Sequence, residues 1–365
     1  MRSELIEAAT RVIDSGCYIN GPEVAAFEGE LAETLGMGRV VGVSNGLDAI
    51  RLIIRAYIET GRLAPGDEVI LPSNTYIATL LPVSEFGLKP VLAKPDRATF
   101  GLDWGDVLRK LTPKTKAVIT VHLYGTPSWD EEAARRLRSK GVLIIEDNAQ
   151  AIGAQILNPR TGKYVFTGAL GDAAAFSFYP TKNVGALGDA GAVATADESV
   201  AAVVKALANY GSSRRYHNDF IGYNCRLDEL QAAFLRIKLA SLVEVVERRN
   251  ERARLYASLI DNPAVTLPAE LPQMVQVWHQ YVVRTPHRDK LQRWLADHDV
   301  ATDVHYPLAL FDQKCYASPS VAPRFDEECR DITRQLSAEV LSLPIATASP
   351  SNIEHISTLI NAFQP

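Results

Sequence analysis

From about residue 38 to residue 195, short apolar runs alternate with helical stretches. RVVGVS precedes LDAIRLIIRAYIET, and DEVILPS precedes a helical segment around TLLPVSEFG. KPVLAK and AVITVHLYG follow, then WDEEAARRLRSK, VLIIED, AAAFSFYP and GAVATA. Runs so rich in Val and Ile, with helices between them, predict βαβ units and a mostly parallel sheet covered on both faces. A long helical stretch, roughly 228 to 259, comes next, and its densely charged second half reads as a helix leaving the large domain. The Pro-containing loop DNPAVTLPAELP is followed by a strand (HQYVVRT), a helix (RDKLQRWLADHD) and a strand (ATDVHY), enough for a small α/β domain. The expected division is a large domain over 1–240 and a small one over 241–365, which suits a chain of 365 residues. No internal repeat or low-complexity tract interrupts the pattern.

Composition narrows the partners more than the fold. Apolar residues make up 47% and charged residues 22%, as in ordinary globular proteins. A formal net charge of −5 with seven His lacks the basic balance that nucleic-acid or anionic-membrane binding needs, so an anionic small ligand requires a local positive site. The segment MRSELIEAATRVIDSG reads as a charged amphipathic helix and not as a signal peptide. No apolar run approaches the roughly 20 residues that span a bilayer, so the cytoplasm is the expected location. Cys17, Cys225, Cys315 and Cys329 form no CxxC pair and have no His at metal spacing, which argues against a metal, an iron–sulfur cluster or a disulfide framework.

Open α/β sheets bind ligands beyond the carboxyl ends of their strands, so the chemistry is sought there. In VGVSNGLDAIRL a strand ends at Ser44, passes Asn45 and Gly46 and opens a helix at about Leu47. Free N–H groups at a helix start form a phosphate site, although the same turn also reads as a βα connection capped by Asn. In VLIIEDNAQAIGA an apolar strand delivers Glu146 and Asp147 to its end, with Gln150 one turn later. A carboxylate there suits a metal, a ribose or a protonated ring nitrogen, or simply a surface cap. AAAFSFYPTKNVGALGDAGAV leads through Ser177 to Lys182 and a loop containing Gly185, Gly188 and Gly191. Lys182 is either a low-pKa amine for Schiff-base chemistry or a loop lysine paired with Asp172 or Asp189. Together the segments supply an anion cradle, a carboxylate and an amine, the set that pyridoxal phosphate requires.

At this point the chain resembles a known family. SGCYINGPEVAAFEGELAETLG, SNGLDAI, LPSNTYIAT, TVHLYG, IEDNAQAIGA, FSFYPTKNVGALGDAGAV, GYNCRLDELQAAFLRIKL and VHYPLAL, in this order over almost the whole chain, resemble the DegT/DnrJ/EryC1/StrS sugar aminotransferases. These are fold-type I enzymes, which implies an aspartate-aminotransferase-like α/β fold. The resemblance implies Lys182 as the amine that holds the cofactor and shuttles the proton, Asp147 on the pyridine nitrogen and Gln150 near the ring hydroxyl. Gly46 and Leu47 would offer N–H groups to the phosphate, helped by the Ser177 hydroxyl, and Tyr76 would cover one face of the ring. Asn224, or in its place Arg226, would reach the phosphate in a neighbouring subunit, which implies a homodimer with shared sites. His305 and Tyr306 would sit at the mouth as substrate contacts. Arg214, Arg215 and Lys205 are the cations expected to meet a nucleotide diphosphate.

Within the family, SNGLDAI, SNTYIAT and NYGSSRRYHNDFIGYNCRLDELQAAF are most similar to members that aminate C3 of dTDP-3-keto-6-deoxyhexoses. The implied partners are that sugar and L-glutamate, with pyridoxamine phosphate as the amino form of the cofactor. A 4-aminotransferase shares the cofactor chemistry and differs only in sugar pose. A sugar dehydratase on this scaffold typically has His where Lys182 stands, and a regulatory homologue without turnover would have favoured loss of Lys182 or Asp147. A nicotinamide dehydrogenase is excluded, because GMGRVVG has the wrong spacing and precedes its strand, and GALGDAG lacks the GxG start.

Overall fold

The computed structural model describes residues 1–365. Nine strands lie in the first two hundred residues. They are β1 (Arg39–Val43), β2 (Glu68–Pro72), β3 (Lys89–Ala93), β4 (Thr115–Val121), β5 (Leu143–Asp147), β6 (Gln155–Leu157), β7 (Tyr164–Phe166), β8 (Ala173–Ser177) and β9 (Gly191–Thr195). Seven form the central sheet in the order β1-β9-β8-β5-β4-β2-β3. Only β9 runs antiparallel, pairing with β1 on one side and β8 on the other, so the sheet is mostly parallel as expected. Five further strands follow: β10 (Ser212–Arg214), β11 (His217–Asn218), β12 (Met274–Val275), β13 (Tyr281–Arg284) and β14 (Val340–Leu343). β10 and β11 form a hairpin, β12 joins β6 and β7, and β13 pairs with β14.

Both faces of the central sheet are buried, and strand alternation decides which side chain serves which face. Val69, Leu71, Ile119, Ile145, Ala173 and Ala175 pack against Ile50, Ile53, Ile54 and Tyr57 of the helix Gly46–Glu59. Their neighbours Ile70, Val118 and Ile144 pack on the opposite face with Trp104, Trp129 and Leu137. Asp147 and Ser177 therefore share the face of Ile145 and Ala175, whereas Glu146 shares that of Ile144.

The helix Pro22–Leu35 begins on a buried carboxylate. Glu229, 1% exposed, accepts from the backbone N–H groups of Gly21, Glu23 and Val24 at 2.8, 2.8 and 2.9 Å. These are donors that the first helical turn cannot satisfy internally. The segment before Glu229 is pinned as well. Cys225 O accepts from Ser44 N at 3.1 Å, Cys225 N donates to Ala208 O at 2.9 Å, and Asp228 bridges to Ile19.

Two expectations differ from the structure. The stretch 228–259 is two helices, Glu229–Ala240 and Leu242–Leu259, broken at Ser241 where ψ is 9°. Leu239 and Leu242 on either side both enter the same core, so packing sets the break where no Gly or Pro signals it. ATDVHY makes only a single bridge, Asp303 to Ser342, and β14 takes the place beside β13. Residues 253–363 build a core of their own around Tyr256, Tyr281, Leu291, Leu341 and Ile353. Leu310, Tyr316 and Cys329 instead join the large core, and Arg324 hydrogen-bonds along β3 at Pro90 and Leu92. No helix is long and apolar enough to cross a membrane.

Candidate active site

The strand ends place the two adjacent carboxylates in different surroundings. Glu146 is fully buried and accepts four hydrogen bonds, from Gly168 N, Leu170 N, Gly171 N and His122 Nε2, at 2.6 to 2.9 Å. His122 Nδ1 accepts from Ser128 N at 2.9 Å, so its proton lies on Nε2, facing Glu146. Glu146 is thus saturated as a loop brace. Asp147 accepts from Thr79 Oγ1 at 2.7 Å and Ala149 N at 3.1 Å. Burial raises its pKa above the ordinary 3.8, against the lowering pull of Thr79, Ala149, Lys182 and His122. Thr79 Oγ1 spends its one proton on Asp147, so the 2.9 Å contact with Thr75 Oγ1 has Thr75 as donor.

Lys182 lies on the turn after β8, its N–H donating to Tyr179 O at 2.8 Å. The turn is tight: a Cβ on Gly185 would lie 2.4 Å from Pro180 O. No carboxylate lies within ion-pair distance of the amine, and Asp172 is occupied by Ile144 N at 2.7 Å, so the loop-lysine pairing is absent. Burial pulls the Lys182 amine down to about 8, opposed by the negative charge of Asp147. An amine and a carboxylate thus feel each other's charge with their pKa values moved toward each other, as groups at reactive sites often are.

The other expected residues divide into two groups. Asn45 caps the helix Gly46–Glu59 by accepting from Asp48 N at 2.8 Å, while Gly46 and Leu47 stand in the first turn, whose N–H groups have no intrahelical acceptor. Gly46 abuts Ser177 so closely that a Cβ would lie 2.7 Å from the serine Cβ. Gln150 accepts from Tyr124 N at 2.6 Å and donates to Tyr306 Oη at 3.0 Å. The Tyr306 ring lies 5.2 Å from that of Tyr76, which is 53% exposed. His305 Nδ1 contacts Ser342 Oγ at 2.8 Å, and burial lowers its pKa. Lys182, Asp147, Gln150, Tyr76, His305 and Tyr306 therefore gather at one mouth, with Gly46, Leu47 and Ser177 at neighbouring strand ends.

Asn224, Arg214, Arg215 and Lys205 stand apart from that cluster. Asn224 is exposed and bridges only to Asn209. Arg214 and Arg215, on the β10–β11 hairpin, and Lys205 line a separate cavity of about 550 Å³ with Glu28 and Arg226. Arg226 is held by Asn209 Oδ1 at 2.9 Å and lies over the Tyr210 ring at 5.1 Å.

Sequence reasoning passed over Thr79 and Tyr124, although both lie in quoted motifs. Thr79 is a buried donor to Asp147. Tyr124, at φ +60°, offers its N–H to Gln150 and its hydroxyl to His305 O. A buried hydroxyl near a strand end was the available signal for Thr79. The Tyr124 backbone has none in the sequence.

These residues fit pyridoxal phosphate: a partly neutral amine, a buried carboxylate for a protonated ring nitrogen, and free helix N–H groups beside a hydroxyl for a phosphate. Comparison with known proteins agrees. The DegT/DnrJ/EryC1/StrS aminotransferase family matches residues 1–363. The dTDP-3-amino-3,6-dideoxy-alpha-D-galactopyranose transaminase of Aneurinibacillus thermoaerophilus is 44% identical over 364 residues, covering 99% of this chain and 96% of that protein. The dTDP-3-amino-3,4,6-trideoxy-alpha-D-glucose transaminase of Streptomyces venezuelae is 42% identical over 347 residues, 94% of this chain and 88% of its own. Among solved structures, S. venezuelae DesV in complex with a ketimine intermediate superposes with a TM-score of 0.91 at 40% identity, covering 99% of this chain and 94% of that one. A solved structure from Bacillus subtilis, 27% identical with a TM-score of 0.83, holds pyridoxamine phosphate as its bound cofactor. The chain belongs to the DegT/DnrJ/EryC1/StrS aminotransferase family and is a pyridoxal-phosphate-dependent sugar aminotransferase.

Proposed function

We propose that this enzyme moves an amino group from L-glutamate to C3 of a dTDP-3-keto-6-deoxyhexose, giving a dTDP-3-amino-3,6-dideoxyhexose and 2-oxoglutarate. The observation that carries the chemistry is a buried Lys182 amine, lowered to about 8, under the charge of buried Asp147. The 3-amino sugars named for the two relatives above support the position of amination. Pyridoxal phosphate, when bound, supplies the electron sink for the carbanion at the amino-acid Cα.

The residues divide the work. Lys182, a fraction of it neutral near pH 7, takes the proton from the amino-acid Cα and gives it up again on the same face. Asp147, kept ionised by Thr79 and Ala149, holds a proton on the ring nitrogen. Gln150 orients the ring hydroxyl and Tyr76 covers the ring. Gly46, Leu47 and Ser177 receive the phosphate. His305 and Tyr306 contact the sugar, and Arg214, Arg215 and Lys205, which stand apart from the Lys182 cluster within one chain, meet the diphosphate of the sugar held by a second copy. Asn224, with Arg226 as the alternative, completes the phosphate site of a second copy in a cytoplasmic homodimer. The exposure of Asn224 and the 84% exposure of Tyr216 and Ile221 beside it support that pairing. The division into 1–240 and 241–365 belongs to the same reading, supported by the separate core after residue 253.

The test is to incubate the cofactor-loaded protein with glutamate and the 3-keto sugar, with the 4-keto isomer in parallel. Product mass and the visible spectrum are followed together. Amination of the 3-keto sugar alone is expected. Amination of only the 4-keto isomer keeps the residue roles and refutes the regiochemistry, while an inert protein refutes both.

A further inference from the structure

Where the helices Glu229–Ala240 and Leu242–Leu259 meet at Ser241, a cavity of about 250 Å³ opens behind the Lys182 turn. Its wall carries Lys182, Lys238, Arg248, Arg249 and Arg252 and no carboxylate. Apart from Lys182, four cationic residues line it in a chain whose formal net charge is −5, so the concentration is local and not a reflection of composition.

Most of these cations are held in place without being neutralised. Arg249, only 5% exposed, donates through Nη1 to Trp278 O at 2.7 Å and His279 O at 3.3 Å. Arg252 Nη1 donates to Ile345 O at 3.2 Å and Ala346 O at 2.6 Å. Lys238 Nζ donates to Gly185 O. Carbonyl oxygens orient a guanidinium but leave its charge standing, and unneutralised buried charge is costly. The strain is visible in Arg249, whose pKa is brought down to about 10 by burial and by the neighbouring charge of Arg252. Only Arg248 has an acid nearby, Glu244 one turn away at 3.5 Å, and both of those side chains are more than half exposed.

We propose that this cavity binds a small polyanion, a di- or tricarboxylate or inorganic phosphate, through Arg248, Arg249 and Arg252. Guanidinium groups match the planar forks of such anions, and a ligand with two or more negative charges supplies the counter-charge that the protein omits. The cavity shares Lys182 with the strand-end cluster that receives the cofactor, but Arg248, Arg249 and Arg252 are no part of that cluster. It is independent of which sugar is aminated, and its test reads binding and not turnover.

The protein loaded with pyridoxal phosphate is titrated calorimetrically with citrate and, separately, with inorganic phosphate. The double variant Arg248→Gln, Arg252→Gln is titrated alongside. At least one probe is expected to bind once per chain with a Kd below about 1 mM. Binding should weaken about tenfold or more in the double variant and fall with added sodium chloride, as loss of charge contacts and screening require. Citrate alone identifies a carboxylate site, phosphate alone a phosphate site. Should the double variant fail to fold, Arg248→Gln by itself must weaken binding by about threefold, the scale of one partly exposed charge. Failure of both probes to bind, or equal binding by wild type and variant, overturns the proposal.

Discussion

Replacing Lys182 by Met should abolish turnover and yet make the cofactor-free protein more stable at neutral pH. Burial lowers the amine from its ordinary 10.5 to about 8. That gap corresponds to about 3 kcal/mol of resistance to carrying the charge in the folded state. The sign follows from proton counting. Below pH 8 both folded and unfolded lysine are protonated, and the full penalty weighs on the native state. Between about 8 and 10.5 the unfolded chain binds the extra proton, so wild-type stability recovers as the pH rises. Above 10.5 both forms are neutral and the penalty is gone. Met keeps the stem of the side chain without the charge, so the variant should gain up to about 3 kcal/mol at pH 7 and nothing near pH 11. Urea titrations of both stripped proteins at several pH values measure the difference. A variant equal to or less stable than wild type at pH 7, with the same urea slope, would refute the electrostatic account of Lys182.

Thr79→Val removes the hydroxyl that donates to Asp147 Oδ2 and orphans the Thr75 donor. A hydrogen bond to a charged group is worth about 1.5–3 kcal/mol, so kcat/KM should fall roughly 10- to 100-fold. The acid limb of the pH–rate profile should move upward, because the raised Asp147 pKa rises further and activity is lost at higher pH on acidification. Thr79→Ser should restore both. Gly46→Ala drives a methyl into Ser177 and should weaken cofactor binding about tenfold or more, measured by fluorescence titration of the stripped protein. Glu229→Gln keeps one accepting oxygen but sets an amide NH2 against at least one of the three N–H groups of the helix start and should cost about 2–3 kcal/mol in urea denaturation, with a normal spectrum in whatever protein folds.

Much of the site was legible because open α/β sheets present chemistry at strand ends. Ser177, Lys182 and a carboxylate at the end of β5 needed only the strand pattern and the residue types. The choice between Glu146 and Asp147 did not follow from the pattern, since alternation separates the two faces without naming them. What decides it is long-range: Gly168, Leu170 and Gly171 close on Glu146, and Thr79 closes on Asp147. The break at Ser241 and the absence of a strand over ATDVHY were illegible for a related reason. Leu239 and Leu242 turn toward one core whatever the local propensity, and β14 occupies the edge that ATDVHY would have used. Asn224 is expected only through the family resemblance, and Arg214 and Arg215 only from local charge; within one chain all three stand away from the Lys182 cluster.

The anchoring of the segment before Glu229 bears on how two chains would meet. Cys225 is tied to both Ser44 and Ala208, Asp228 to Ile19, and Glu229 to the start of the helix Pro22–Leu35. Exposed Asn224 consequently rides on a ledge that is already ordered in the single chain. In the homodimer proposed above, little backbone freedom would remain to be lost, so association should proceed as rigid docking and not as folding upon binding. Its heat-capacity change should then reflect the buried contact area alone, without the additional signature of ordering a disordered segment.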